Sequence, residues 1–596
     1  MVNKTTLHMA LLTGLCLLVT WPVLIHGAPD LSWDGPFHAV WAQQFAIQFW
    51  HGDWYPRWFT NVNGGFGGPS GFFYPPLASY ASTLFWPFMA ARDPNGWLVA
   101  GYSLVLAEIL SGITAYLWLR SLAKPGAALL GAAVYVIAPY HLAIDLYRRG
   151  ASAEFWVFAW LPLVLLSAEG LLRRSRWAVP GAAVSYALAV LSHPTMALCF
   201  APIPLAYVFF QSEQKKRVGT TAVLAAALLL GVGLDAAYLL PAMLDQNKAS
   251  ASLYTSGQGD YHAAWLLPDG GKISEGARDL YDKFTGKAIE IPPDILIHAW
   301  IMVITLSTLG AIGLLFVLGR WYEKERRPRR LAGFYTGVAM ISFFLMTKPS
   351  GFIWEMSRFL KFLQFPFRLN VMLVLCLASL VAVAGPYLLQ PRARVIALFL
   401  VLMAVGWLGA DLWIPTRVFS AWRLLPEQAE WSRQWMRIQM EPFDMWPISG
   451  TSDVRKTFAE FDRFVETHPP KTAKLTAFST GQSVGAARVE SWQPRQVVLS
   501  IESPGDSQLT VNHFYYAGWQ ARINSGATVL TASPSPDGLI QFDVPRGNYD
   551  IIIDLPRDRA ERTGIVISQF SLALLAAVAI WAGLGTKQAG PAAATA

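Results

Sequence analysis

Apolar runs of about 17–25 residues recur along the whole chain, each long enough to cross a hydrocarbon core of about 30 Å as a helix. They lie at 7–25, 97–119, 126–144, 155–172, 177–192, 196–210, 218–241, 297–319, 331–347, 370–389, 394–413 and 564–585. A backbone in lipid must satisfy its N–H and C=O groups internally, so helices are the solution such runs permit. The expected fold class is a polytopic α-helical membrane protein with about twelve spans. Composition agrees: 14% of the 596 residues are charged and 54% hydrophobic, with a mean hydropathy of +0.36. Soluble chains run near a quarter charged.

The formal charge of +8 sits largely in short loops between apolar runs. The positive-inside rule accounts for it there, so it reports topology and not nucleic acid. Cys16, Cys199 and Cys376 all lie inside apolar runs, which leaves no disulfide framework or zinc spacing. Lys4 and the run after it resemble a signal peptide in outline. The run is about twenty residues long and lacks a small-residue cleavage site, so it is read as a retained first span.

Parity orders the spans. With the N-terminus inside, Arg120/Lys124, Arg173/Arg174/Arg176, residues 215–217, the cluster from Arg320 to Arg330, Arg392/Arg394 and Lys587 all become cytoplasmic. Counting 77–91, which Pro87 interrupts, as a full span would turn these clusters outward. It is therefore read as a half-inserted or interfacial helix of the first outer loop, and both termini lie inside. The outer face receives the 26–96 loop, turns near 145–154 and 193–195, the 242–296 and 348–369 loops, and residues 414–563.

Domain organisation follows. Residues 1–413 form the transmembrane domain, 414–563 an extracytoplasmic domain, 564–585 the last span and 586–596 a low-complexity, disordered cytoplasmic tail. From about 483 the runs ARVESW, QVVLSIES, QLTVNHFYY, IQFDVP and YDIIIDLP alternate with period two between turn residues. That pattern predicts a small outer β-sandwich-like domain. No internal repeat is visible, which disfavours transporters built from duplicated halves. The chains of intramembrane acids and histidines expected of a proton pump are also missing.

The first outer loop is too polar and too aromatic for a tether. DLSWDGPFHAVWAQQFAIQFWHGDWYPRWFTNVNGGFGGPSGFFYPP, residues 30–76, brings Asp30, Asp34, His38, Asp53, Arg57 and Tyr74 among tryptophans and glycines. Asp34 and His38 are four apart, on one face of a helix beginning near Pro36. A carboxylate there either takes a proton from a hydroxyl or caps the helix. Arg57, Arg148, Arg149 and Arg368 are outer-face guanidiniums at the membrane edge. They either hold phosphate oxygens in their planar fork or snorkel to headgroups. Glu154 is placed to pair with Arg148 or Arg149. His193, in LSHPTMA, is a turn residue or a ligand, and Asp235 is an intramembrane acid. The NGGFGGPSG cluster lacks the strand–loop–helix setting of a nucleotide fingerprint and is read as a flexible loop over a site.

DGPFH, GDWYPRW, NGGFGGP and FFYPPL, followed by YRRGASAE, LSHPTMAL, LQFPFR and HFYYAGWQARIN, resemble the GT-C superfamily of membrane glycosyltransferases. The resemblance is closest to a bacterial branch labelled "6-pyruvoyl-tetrahydropterin synthase-related, membrane domain" and the related YfhO-like proteins, and it covers nearly the whole chain. It implies transfer of a sugar from a polyprenyl-phosphate donor to a glycan, lipid or protein acceptor at the periplasmic face of the bacterial inner membrane. Asp34, with Asp30 as substitute, becomes the base or metal-binding group. Arg57, Arg148, Arg149, Glu154, His193, Arg368 and Tyr74 are this chain's own candidates for substrate and phosphate binding. DLSWD departs from a close acidic pair, with His38 where a second acid would stand; a divalent cation, Mg or Mn, would fall to Asp34 and His38. The alternatives are a lipid-linked-glycan flippase or transporter and a non-catalytic membrane assembly protein.

Overall fold

The computed structural model describes residues 3–249, 260–266, 293–418, Val465 and, apart from positions 481, 482, 485, 525 and 527, residues 475–587. The polar stretch 419–464 and most of the expected tail lie outside the described residues.

Nine helices among the described residues are long and apolar enough to cross a membrane: Trp97–Arg120, Pro125–Arg149, Ser152–Leu172, Pro194–Gln211, Gln214–Leu234, Trp300–Tyr322, Pro366–Leu389, Pro391–Trp413 and Arg559–Leu584. A tenth crossing arises if Arg326–Leu345 and Lys348–Met356, bent by 87°, act as one. Lys4–Val19 and Ala178–Ser192 are apolar but only 16 and 15 residues long. At 1.5 Å per residue they reach about 23 Å, short of a perpendicular crossing. Each of the twelve apolar runs is therefore helical, while two fall below spanning length.

Burial separates the centre from the rim. Asn370–Ala384 is buried along nearly its whole length, enclosed by Pro125–Ile137, Pro293–Tyr322 and Arg326–Leu345. Its continuous apolar sequence, NVMLVLCLASLVAVA, suits a helix surrounded on all sides. Arg394–Trp413 and Arg559–Lys587 lie at the periphery and expose leucine, valine and tryptophan outward. The 77–91 segment forms two short helices, Leu77–Thr83 and Trp86–Met89, with Pro87 inside the first turn of the second. They rest on Gly35–Trp50 and Trp97–Arg120, so the segment belongs to the first loop and is no span.

Among the described residues, ten strands form the C-terminal domain: β1 (Leu475–Thr480), β2 (Ser483–Val484), β3 (Ala486–Gln493), β4 (Gln496–Ser503), β5 (Ser507–Phe514), β6 (Gln520–Ile523), β7 (Val529–Thr531), β8 (Ser533–Pro534), β9 (Leu539–Val544) and β10 (Gly547–Asp554). They make two antiparallel five-stranded sheets, ordered β2-β1-β5-β9-β8 and β3-β4-β10-β6-β7. The first described strand, from Leu475, lies somewhat before the alternation near 483 becomes legible. Val497, Leu499 and Ile501 of β4 and Ile551 and Ile553 of β10 share one core with Leu509 and Val511 of β5 and Phe542 and Val544 of β9. The two inner faces thus pack as a sandwich.

That core also contains Trp58, Phe66 and Phe72 from the first loop. The Phe514 N–H donates to the Phe66 carbonyl at 2.8 Å, and Trp58 lies 5.7 Å from Trp519, ring to ring. The glycine cluster serves this docking instead of forming a loose cover. Gly67 has φ +76°, and a Cβ there would lie 2.5 Å from Trp58 Nε1.

Candidate active site

A proline creates the scaffold of the site. Pro139 disfavours helical geometry at the residue before it, and Ala138 is extended (φ −62°, ψ 130°). The chain resumes as a π-helix, Tyr140–Arg149, and stops at Gly150 in the left-handed region (φ 64°). Such wide turns recur at functional sites. The first loop docks on its end: Trp33 N–H donates to the Arg148 carbonyl at 3.3 Å and Asp34 N–H to the Arg149 carbonyl at 2.7 Å. Ser32 Oγ donates to the Pro29 carbonyl at 2.6 Å and accepts from Gly35 N–H at 3.1 Å. A Cβ on Gly150 would stand 2.3 Å from that hydroxyl, so the approach requires glycine.

Four buried groups form a charge network beside Asp34. Arg149 Nη1 donates to Asp145 Oδ1 at 2.6 Å and to Glu154 Oε2 at 2.7 Å. Arg368 Nε lies 3.2 Å from the same Glu154 oxygen, while Tyr140 O–H donates to Glu154 Oε1 at 2.9 Å. His193 uses Nδ1 to accept from Met196 N–H at 3.3 Å and turns Nε2 toward Arg368 Nη1 at 3.5 Å. It is both a turn residue and a neighbour of the network. Burial, then Arg368, pushes its pKa down to about 3, so its ring is neutral.

Asp34 occupies the N-cap position of Gly35–Trp50 yet makes no side-chain cap hydrogen bond. Its carboxylate is thus not committed to capping. Burial raises its pKa; Arg149 and Arg368 pull it back, and Glu154 pushes it up again. Three carboxylates, Asp34, Asp145 and Glu154, face two guanidiniums, Arg149 and Arg368, so the set holds one acid more than its cations neutralise. His38, one turn further on the same helix, is held at about pKa 3, first by burial and then by Arg149. Its Nε2 lies 3.3 Å from Tyr74 O–H, with Trp41 edge-on at 5.4 Å.

The structure thus brings Asp34, Arg149, Glu154, His193 and Arg368 together from four separate stretches of chain, with His38 and Tyr74 alongside. Arg148 sits at the margin, its guanidinium 5.4 Å from the Trp33 ring. Arg57 goes elsewhere. Its Nε lies 3.2 Å from Glu561 Oε1 and its Nη2 donates to the Ala237 carbonyl at 2.6 Å. Arg495 holds both oxygens of Glu561 at 3.0 and 2.9 Å. Arg57 therefore ties the first loop to the last helix. Asp235 is buried between two helices, Arg217–Leu234 and Ala236–Leu244, apart from the network. Asp145 and Tyr140 complete the site unannounced. The signal for Asp145 was present, an acid directly after an apolar run and four residues before an arginine.

Among the described residues, no three His, Cys, Asp or Glu side chains are grouped to hold a metal ion. The acids nearest Asp34, Asp145 and Glu154, are already bound by guanidiniums. A second buried polar set does exist within the helices. Glu108 Oε2 and His141 Nε2 lie 3.4 Å apart, both wholly buried, and Asp411 is close enough for its charge to act on Glu108. This corrects the expectation that the spans lack such groups.

No protein-family model matches the chain, and no curated protein matches it significantly. Several solved structures are similar in outline. Arabinofuranosyltransferase AftD from Mycobacteria aligns over 92% of this chain and 40% of its own, at 14% identity and a TM-score of 0.42. The oligosaccharyltransferase of Archaeoglobus fulgidus aligns over 78% and 64%, at 14% identity and TM-score 0.41. ArnT from Cupriavidus metallidurans aligns over 64% and 79%, at 11% identity and TM-score 0.27. Against its first matches the chain spans between 28% and 64% of the partner's length.

Proposed function

We propose that this chain is a membrane glycosyltransferase, moving a sugar from a polyprenyl-phosphate donor to a glycan, lipid or protein acceptor at the periplasmic face of the bacterial inner membrane. The observation that carries the reading is the uncapped, half-buried Asp34 carboxylate pinned by its own backbone to Arg149 and facing two guanidiniums. A carboxylate left uncommitted and shifted upward by burial is suited to accept a proton.

The reaction would be a single inverting displacement. The acceptor oxygen attacks the anomeric carbon, its proton passes to Asp34, and the bond from that carbon to the phosphate oxygen breaks. Protonating Asp34 leaves Asp145 and Glu154 balanced by Arg149 and Arg368. The charge released on the lipid phosphate then falls to Arg148 at the margin. Glu154 and Asp145 hold the guanidiniums in place before the charge develops, so little reorganisation is needed. Neutral His38, with Tyr74, offers hydrogen bonds to a sugar or acceptor hydroxyl without adding charge.

The test is transfer in liposomes with a panel of polyprenyl-phosphate sugars. Asp34→Asn is expected to lose roughly 10²–10⁴-fold in rate while remaining folded. The wild-type rate should rise with pH as Asp34 loses its proton, with a midpoint above the ordinary aspartate value of about 3.9. Near-wild-type transfer by Asp34→Asn would sink the assignment and favour the assembly role, which has no use for that carboxylate.

A further inference from the structure

Helix Arg326–Leu345 opens with RRPRR and carries no acid in its first turn. Like charges this close repel one another, and the helix dipole, positive at this end, adds to the cost. One buried acid offsets part of it. Glu169, 2% exposed, accepts on Oε1 from Arg327 Nη2 and, at 2.8 Å, from Arg173 Nε. Its Oε2 accepts from the Tyr207 hydroxyl at 2.7 Å. Arg330 Nη2 donates to a neutral group, the Phe210 carbonyl, one turn beyond Tyr207. Guanidiniums from two stretches of chain thus gather round a single carboxylate. Glu213 is held by Lys216 at 2.5 Å and Glu323 by the Tyr387 hydroxyl at 2.6 Å. Neither bonds Arg173, Arg327 or Arg330, so positive charge is left over.

The cluster faces away from the candidate active site. Glu154 and Glu169 lie fifteen residues apart on Ser152–Leu172, about 22 Å along the helix at 1.5 Å per residue. The arginines therefore sit toward the opposite end of that span. Arg173 and Arg327 are each still 53% exposed while they hold Glu169, and Arg330 is exposed as well. Phe209 and Phe210 are exposed at the end of the apolar helix Pro202–Gln211. Planar guanidinium forks take phosphate oxygens, and an exposed aromatic flank beside them suits acyl chains.

We propose that this cluster binds an anionic phospholipid. Its phosphodiester is held between Arg327 and Arg330, three apart on one helix face, with Arg173 alongside and the acyl chains on Phe209 and Phe210. A zwitterionic headgroup brings its own ammonium to a site that is already positive, so the charge attraction largely cancels. The assignment does not rest on the transfer reading; it concerns other residues at the other end of the span.

The experiment uses the full chain in nanodiscs containing phosphatidylglycerol, phosphatidylethanolamine and phosphatidylcholine in equal amounts, with retained lipids read by native mass spectrometry. Wild type should retain phosphatidylglycerol roughly tenfold over either zwitterionic lipid, the ratio that one to two surface guanidiniums supply. Arg330→Gln changes an exposed side chain that bonds only a backbone carbonyl, and should lower that ratio several-fold with folding intact. Arg327→Gln combined with Arg330→Gln should abolish it. Arg488→Gln removes an exposed charge from the β-sandwich and should leave retention unchanged. Equal retention of the three lipids by wild type, an undiminished ratio in folded Arg330→Gln, an equal loss in Arg488→Gln, or displacement of the lipid by millimolar inorganic phosphate would each overturn it.

Discussion

Asp34 and Arg57 share one loop and one polar–aromatic sequence context, and the fold gives them opposite duties. Asp34 keeps its carboxylate uncommitted beside Arg149, whereas Arg57 spends its guanidinium on Glu561 and a backbone carbonyl. Arg57→Ala should therefore act on stability. Losing its charged hydrogen bonds costs roughly 1.5–3 kcal/mol, because Arg495 still holds Glu561. Denaturant or thermal unfolding should register that loss while transfer per folded molecule stays unchanged. A collapse of transfer in a fully stable Arg57→Ala protein would place Arg57 at the chemistry after all. Local sequence cannot separate these cases, since both residues look like membrane-edge polar groups and only the partner across space differs.

The decisive element is the π-helix. Its wide turn carries Tyr140, Asp145 and Arg149 into the network and also His141 into the second polar set. Its closure at Gly150 sets where Asp34 sits, because the first loop packs against that glycine with no room for a methyl group. Gly150→Ala meets both a strained backbone, about 1–2 kcal/mol in the left-handed region, and a clash with Ser32. A displacement of about 1 Å at a reacting group costs on the order of 10²-fold, so transfer should fall steeply in a protein that still inserts and runs monodisperse. Full activity in that variant would show that Asp34 is not positioned by this contact. The apolar run at 126–144 announced a helix here, and YRRGASAE a polar edge. The change from α to π geometry was not legible, since it follows from how the segment after Pro139 fits among its neighbours.

At the scale of the molecule, the C-terminal sandwich is no appended module. Trp58, Phe66 and Phe72 reach into its core, and Arg57 and Arg495 meet on Glu561 at the start of the last helix. The first loop is thereby clamped between the helical domain at Asp34 and the sandwich at Trp58. Trp58→Ala removes a wholly buried indole and should cost roughly 3–5 kcal/mol. Limited proteolysis is expected to release the sandwich from this variant at temperatures where wild type resists. If the variant is cut no faster than wild type, the two parts do not depend on one another as their packing indicates.

Apolar run length and alternation determined most of the architecture by themselves, because lipid and a two-faced sheet each impose a period that local sequence must obey. Hence the helical spans, the sandwich and the separate status of 77–91 were readable from residue order. Charge type also pointed to Asp34, Arg149, Glu154, His193 and Arg368, since polar groups at a membrane edge are few. Tertiary structure alone decided which of those polar groups meet. It drew Asp145 and Tyr140 into the site, sent Arg57 to Glu561 and turned the glycine cluster into a docking surface. Those outcomes depend on distances between segments remote in the chain, and no period in the sequence encodes a distance across space.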